Sequence, residues 1–168
     1  NDNESILLKT QKSGDRIINK TGPLDNPADR DHCLQYMVAI ALIKGSLEAA
    51  DYEDDVASDP RIDQLRDRMT VRENERFTRE YHEADKRAIG NAIEIAFDDG
   101  SSIQESIDYP VGHRRRRSEG IPLLKAKFER YLRGRLSPKN ADAVLEICAS
   151  QAAFEQTRVD DMMDLFVV

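Results

Sequence analysis

Polar and apolar positions alternate along the chain in segments short enough to read one at a time. Ile6 to Thr10 has the composition of a short strand, and Lys12 to Asn19 that of a turn or short helix around Ile17 and Ile18. Pro27 to Lys44 predicts one helix of about 18 residues, about 27 Å long. Asn26 caps it, Pro27 suits its first turn and Gly45 ends it. Its first half is ionisable, whereas its second half is almost wholly apolar. Leu47 to Ser58 predicts an acidic short helix with Tyr52 and Val56 at i, i+4. Asp59-Pro60 opens another helix, with Ile62, Leu65 and Met69 as its stripe.

Met69 to Glu73 reads as a strand. Asn74 to Arg87 lacks a strong period and predicts a surface excursion holding Tyr81 and His82. Two β-like runs, Ala92 to Phe97 and Ser102 to Ile107, flank Asp99-Gly100, a hairpin signal. Ile121 to Leu132 follows a helical period, with Leu124, Phe128, Tyr131 and Leu132 on one side. Ser137-Pro138 starts a helix carrying Ala141, Val144, Leu145 and Cys148, and Val159 to Phe166 a last one with Met162, Met163 and Phe166. Strands and helices without a regular βαβ repeat predict an α+β fold: a two-layer domain with a mixed or antiparallel sheet, helices on one face, then C-terminal helices.

Composition narrows the function classes. The 168 residues suffice for one ordinary domain with a core. A formal net charge of −7 argues against nucleic acid as a general partner, and no apolar run approaches the length of a membrane span. Cys33 and Cys148 are the two cysteines, too few for a disulfide framework or a cubane iron–sulfur cluster. Asn19-Lys20-Thr21 fits the glycosylation pattern without other signs of secretion. The chain opens without Met and enters an apolar run almost at once, as a piece of a longer protein would.

Candidate chemistry gathers in the polar head of the long helix. Asp29, His32 and Tyr36 are spaced i, i+3, i+7 and so would share one face, a carboxylate, an imidazole and a phenol in line for proton transfer. The bland alternative is a surface histidine bonded to Asp29 and a core tyrosine with its oxygen at the surface. Arg30, beside free N–H groups of the first turn, is a candidate to bind a substrate carboxylate, against a solvated arginine paired with Asp29 or Asp31. His113 and Arg114 head a basic run through Arg117 that could clamp a multiply charged anion. Four adjacent side chains cannot all face one ligand, so His113 and Arg114 are the pair placed nearest a cleft. A partner surface or plain basic loop is the alternative.

Two stretches carry a resemblance. Gly22-Pro23-Leu24-Asp25-Asn26-Pro27-Ala28-Asp29-Arg30-Asp31-His32-Cys33-Leu34-Gln35-Tyr36-Met37-Val38-Ala39 and Tyr109-Pro110-Val111-Gly112-His113 with the following arginines, then Gly120-Ile121-Pro122-Leu123-Leu124, resemble the 2-methylcitrate dehydratase (MmgE/PrpD) family. The likeness runs from about Ile6 to the C-terminus and corresponds to the C-terminal portion of the family's chains. It implies a hydro-lyase that dehydrates 2-methylcitrate to 2-methylaconitate in the methylcitrate cycle of propionate catabolism, by acid/base elimination with no cofactor and no metal.

The resemblance further implies a small lid-like domain over residues 1–135, lacking its beginning, and helices over 136–168 that pack on an all-helical domain outside this chain. A tyrosine on the corresponding helix lies in the active site of a related decarboxylase, which carries over to Tyr36; with His32, a candidate on its own chemistry, it makes the catalytic pair. On the chemistry of the residues themselves, Asp29, Arg30, His113 and Arg114 are the substrate-binding candidates. Lysine and histidine residues credited with most of the family's chemistry lie outside this chain, so the chain alone is expected to be inactive. The expected partners are a tricarboxylate substrate, the helical domain and a second copy in a homodimer. The compartment would be the cytoplasm in a bacterium and the mitochondrial matrix in a fungus. Rival readings are a non-catalytic anion-binding or dimerisation module, and a sister enzyme such as an aconitate decarboxylase or an epimerase.

Overall fold

A computed structural model describes residues 5–167. The chain divides into two compact units, one ending at His113 and the other beginning at Arg114. The division falls ahead of the boundary expected after residue 135, so the long amphipathic helix joins the C-terminal helices.

The first unit is built on a four-stranded mixed sheet of order β2-β1-β3-β4. Strand β1 (Ser5–Thr10) pairs in parallel with β2 (Met69–Glu73), Ile6 opposite Met69 and Leu8 opposite Val71. On its other side β1 runs antiparallel to β3 (Asn91–Ala96), which forms a hairpin with β4 (Ser102–Ile107). Gly100 takes the left-handed φ of 84° that the hairpin turn requires. Alternation sorts the side chains. Ile6, Leu8, Met69 and Val71 are buried on one face, with Ile93 and Ile95 partly buried beside them. The opposite face carries a polar row in which Lys9 pairs with Glu94, and Gln104 Nε2 donates to Glu94 at 2.8 Å.

Helices cover the apolar face. They are α1 (Lys12–Ile17), α2 (Pro27–Arg30), α3 (Leu34–Lys44), α4 (Asp54–Ala57), α5 (Pro60–Arg66) and α6 (Glu75–His82), with a 3-10 turn at Ala49–Tyr52. Tyr36, Ala39 and Ile40 of α3 and Ile62 of α5 complete the core on β1 and β2. Each large side chain buried there contributes about 1.5–3 kcal/mol.

Four expectations need correction. The single helix from Pro27 to Lys44 is two helices. Asn26 Oδ1 accepts from the Asp29 N–H at 3.0 Å, but α2 ends at Arg30, and Cys33 is extended, with φ −122° and ψ 106°. A tertiary bond explains the break: the Leu34 N–H, which a continuous helix would give to Arg30, donates instead to the Ile18 carbonyl at 2.7 Å. Leu47 to Ser58 is likewise split, because Glu53 is extended between the 3-10 turn and α4. Met69 belongs to β2 rather than to the stripe of α5.

Asn74 to Arg87 is no irregular excursion either. Asn74 Oδ1 accepts from the N–H groups of Arg76 and Phe77 and so caps α6. Phe77 is buried against Gly90.

The second unit contains a 3-10 turn at Arg114–Arg116, α7 (Arg117–Arg133), α8 (Pro138–Cys148), α9 (Gln151–Gln156) and α10 (Val159–Asp164). Its core is small: Leu132, Ala141 and Val144, with Leu136, Leu145, Met162 and Leu165 against them. Arg133 bridges to Asp142 at 2.9 Å, and Asn140 Nδ2 donates to the Leu165 carbonyl at 3.0 Å. On α7, Ile121, Leu123, Leu124, Phe128 and Tyr131 remain exposed.

Candidate functional site

The break at Asp31–Cys33 redistributes the predicted site residues. Asp29, His32 and Tyr36 do not share a helix face. Asp29 stays at the surface, where its carboxylate accepts from Lys20 Nζ at 2.9 Å and from Asn26 Nδ2 at 2.8 Å. The Lys20 hydrogen bond holds its carboxyl below the ordinary aspartate range. His32 lies in the turn between the helices, its side chain 58% exposed and its Nδ1 bonded to the adjacent Asp31 carboxylate rather than to Asp29.

Tyr36 goes the other way. It is 2% exposed, its ring stacks on Tyr52 at 6.1 Å between centroids, and its hydroxyl donates to the Asp51 carbonyl at 2.6 Å. Burial raises its pKa, opposed by Arg30 and Arg66 and reinforced by Asp51 and Tyr52, so the phenol stays protonated at neutral pH.

Arg30 is neither solvated nor paired with Asp29 or Asp31. The C-terminal end of α2 turns it inward, 6% exposed. One Nη1 donates to the Tyr52 carbonyl at 2.7 Å and meets Asp54 at 2.7 Å, while Nη2 reaches the Leu24 carbonyl at 3.4 Å. Arg66, at the end of α5, pairs with Asp63 and donates from Nη2 to the Gly22 carbonyl at 2.8 Å. Sequence reasoning passed over Arg66. The only signal available was its place one turn beyond the core residue Ile62, which puts a charged group on a buried helix face.

These groups meet in one cavity of about 330 Å³. It is lined by Arg30, Tyr36 and Arg66, with Leu24, Ala57 and Ser58 and the carboxylates Asp25, Asp54 and Asp63. Among the described residues, the Nε atoms of Arg30 and Arg66 are both buried without a hydrogen-bond partner. A buried donor left unpaired costs about 1–3 kcal/mol, so two around one cavity are unusual. The site offers two guanidinium groups and a neutral phenol, the donor set for a carboxylate and for stabilising charge that develops on one.

A second cavity of about 400 Å³ lies between α3 and the sheet, lined mainly by Leu8, Leu34, Val38, Ala92, Ile93 and Ile107. It is the more apolar space and lacks convergent acid–base groups. We therefore place the candidate chemistry at the cavity around Tyr36.

The pair His113 and Arg114 is split between the two compact units. His113 is 8% exposed, its Nε2 donates to the Arg87 carbonyl at 3.0 Å, and its ring lies against Tyr109 at 4.7 Å. Arg87 is the non-glycine residue with positive φ (46°) among those described, so His113 braces a strained turn. Arg114 stands in the exposed 3-10 turn of the second unit, and Arg116 pairs there with Glu119 at 2.6 Å. Among the described residues there is no group of three or more His, Cys, Asp or Glu able to hold a metal, and no helix long and apolar enough to cross a membrane.

Comparison with known proteins places this geometry in context. The family model described as MmgE/PrpD C-terminal domain matches residues 1–152. The chain is 52% identical to "2-methylcitrate dehydratase, mitochondrial" of Yarrowia lipolytica over 97% of its length, which is 31% of that protein. It is 48% identical to the 2-methylcitrate dehydratase of Salmonella typhimurium over 99% of its length, 35% of that protein. The like-named protein of Cupriavidus necator is 48% identical over 98% of this chain and 34% of its own. The chain thus spans about a third of the length of the curated relatives it matches, and it belongs to the MmgE/PrpD family, whose C-terminal domain it contains.

Proposed function

We propose that the chain is the C-terminal portion of a hydro-lyase that removes water from 2-methylcitrate to give 2-methylaconitate, in propionate catabolism. The observation that carries this reading is identity of 48–52% over 97–99% of the chain with relatives bearing the dehydratase name. The cavity around Tyr36 supports it, because two arginines and a neutral phenol suit a polycarboxylate. In the elimination a base takes a proton from the carbon beside a carboxylate. The hydroxyl on the neighbouring carbon leaves as water with a proton from an acid, and the carbon–carbon double bond forms. Charge that gathers on the carboxylate in the transition state falls to Arg30 to offset. Tyr36 can supply a hydrogen bond there only by releasing the Asp51 carbonyl.

His32 contributes from the exposed turn, and the remaining acid–base groups lie on the two-thirds of the protein outside this chain. That remainder is also the natural cover for the exposed face of α7, since a contiguous apolar face on a small helical unit is costly in water. The working assembly is then a homodimer of the full-length protein, housed in the mitochondrial matrix or the bacterial cytoplasm according to its source. The 168-residue chain alone is inactive.

The test is turnover by the full-length protein on 2-methylcitrate, citrate and cis-aconitate, followed by the ultraviolet absorbance of the conjugated product or by carbon dioxide release. Dehydration with preference for 2-methylcitrate supports the reading. Decarboxylation of cis-aconitate without dehydration replaces it with the sister-enzyme reading. Dehydration by the 168 residues alone refutes the division of labour.

One observation favours a structural reading: the Tyr36 hydroxyl is already committed to the Asp51 carbonyl. Tyr36→Phe in the full-length enzyme separates the two, since unchanged kcat with lowered stability would leave Tyr36 as a brace.

A further inference from the structure

Arg30 and Arg66 are buried cations with an unusual choice of counter-ion. Their side chains are 7% and 10% exposed, yet the carboxylates that meet them, Asp54 and Asp63, are 84% and 70% exposed. Among the described residues, their other partners are backbone carbonyls, Tyr52 and Leu24 for Arg30 and Gly22 for Arg66. Each guanidinium is thus fixed by the backbone and neutralised by an acid that can rotate into water at little cost. In both, Nε has no partner among the described residues. Both arginines line the same cavity as Tyr36.

With Asp25 included, three carboxylates and two guanidinium groups line the space. The Nη groups are already engaged, so an anion that pairs with them has to displace an aspartate.

We propose that this cavity is a carboxylate-exchange site, in which Arg66 acts with Arg30 and the exposed Asp54 and Asp63 occupy the guanidinium groups until two carboxylates of one ligand replace them. The proposal rests on the reading of the protein as acting on a polycarboxylate. It adds a second arginine and assigns the two aspartates the role of internal competitors. The ligand class follows from the chemistry: a small molecule with at least two carboxylates, able to reach two buried guanidinium groups lining a space of about 330 Å³. Monocarboxylates replace one aspartate and leave the other, so they bind weakly.

The test uses the full-length protein and the unreactive tricarboxylate tricarballylate as probe, with affinity measured by titration calorimetry. Asp63→Asn and Asp54→Asn should each tighten binding, by about threefold or more, because each removes a competitor. Arg66→Lys should weaken it by about tenfold or more while circular dichroism stays unchanged. In steady-state kinetics the same changes should appear in KM. An aspartate variant that binds tricarballylate no better, or worse, overturns the exchange mechanism. Equal affinity of Arg66→Lys and the natural protein removes Arg66 from the site. Failure of the functional reading looks different: tricarballylate still binds with these signs, but 2-methylcitrate is not dehydrated.

Discussion

Asp51 holds Tyr36 from two sides of the same residue. Its carbonyl accepts the Tyr36 hydroxyl at 2.6 Å, while its carboxylate, almost fully buried, takes Lys44 Nζ and accepts the Glu48 N–H at 2.7 Å. The 3-10 turn at Ala49–Tyr52 is thereby pinned to both ends of the α3 face, and Tyr52 is delivered for stacking on Tyr36 and for binding Arg30 through its carbonyl.

Tyr36→Phe leaves the Asp51 carbonyl without its donor in a buried setting. The expected loss is about 1–3 kcal/mol of stability, read from urea unfolding of the full-length protein by a lower midpoint at unchanged slope. A loss below a few tenths would mean that water reaches the carbonyl.

Asp51 also sets an acid limit. Its carboxyl is held below the ordinary value of 3.8, chiefly by the Lys44 hydrogen bond and further by the Glu48 N–H, against the opposing effect of burial. A depressed folded-state pKa means that the unfolded chain takes up the proton first as pH falls. The stabilisation is therefore complete above the unfolded value of about 3.9 and fades as pH drops below it through the folded value. Asp51→Asn should be less stable than the natural protein at neutral pH and approach it below about pH 4, in thermal unfolding scans across pH. Parallel curves would contradict this.

Gly90→Ala should be severe. A Cβ on Gly90 would stand 2.3 Å from Phe77 Cδ1 and 2.7 Å from Cγ, inside the ring rather than at a flexible tip. Overpacking of this kind costs about 1–3 kcal/mol or more. Phe77→Leu in the Gly90→Ala background should recover part of the loss, a sign reversal from its effect alone, where it opens space in the core.

The two thiols should differ in rate. Cys33 is completely buried, with its Sγ near the Lys20 carbonyl and Gln35 Oε1, whereas Cys148 is exposed. Maleimide labelling of the native 168-residue chain, followed by mass spectrometry, should modify Cys148 promptly and Cys33 only on unfolding. Equal rates would show that the break between α2 and α3 opens readily.

Much of the sheet was legible because its signals are local. Met69 to Glu73 is a strand with the predicted limits, and Asp99-Gly100 does form the hairpin turn. Asp59-Pro60 and Ser137-Pro138 each open a helix, the cap accepting from Arg61 and Asn140 respectively. What failed depended on distant partners. Nothing near Leu34 says that its N–H goes to Ile18, yet that bond breaks the helix and undoes the shared face of Asp29, His32 and Tyr36. Phe77 looked like one apolar residue in a charged stretch, because its burial is set by Gly90 across the unit. In the site, Arg30 was visible from its place in the first helical turn and Tyr36 through the resemblance. Arg66 was not, because its role comes from the loop that brings the Gly22 carbonyl to it.

The fourth strand closes the sheet on one side, and all six of its residues are exposed, Ile103 and Ile107 among them. A strand edge with no further strand beside it among the described residues, flanked by exposed isoleucines, is a template for strand addition between molecules. Concentrated stocks of these 168 residues should consequently drift toward aggregates with extended-backbone spectra, and a lysine placed at Ile103 is the gatekeeper that should keep them dispersed.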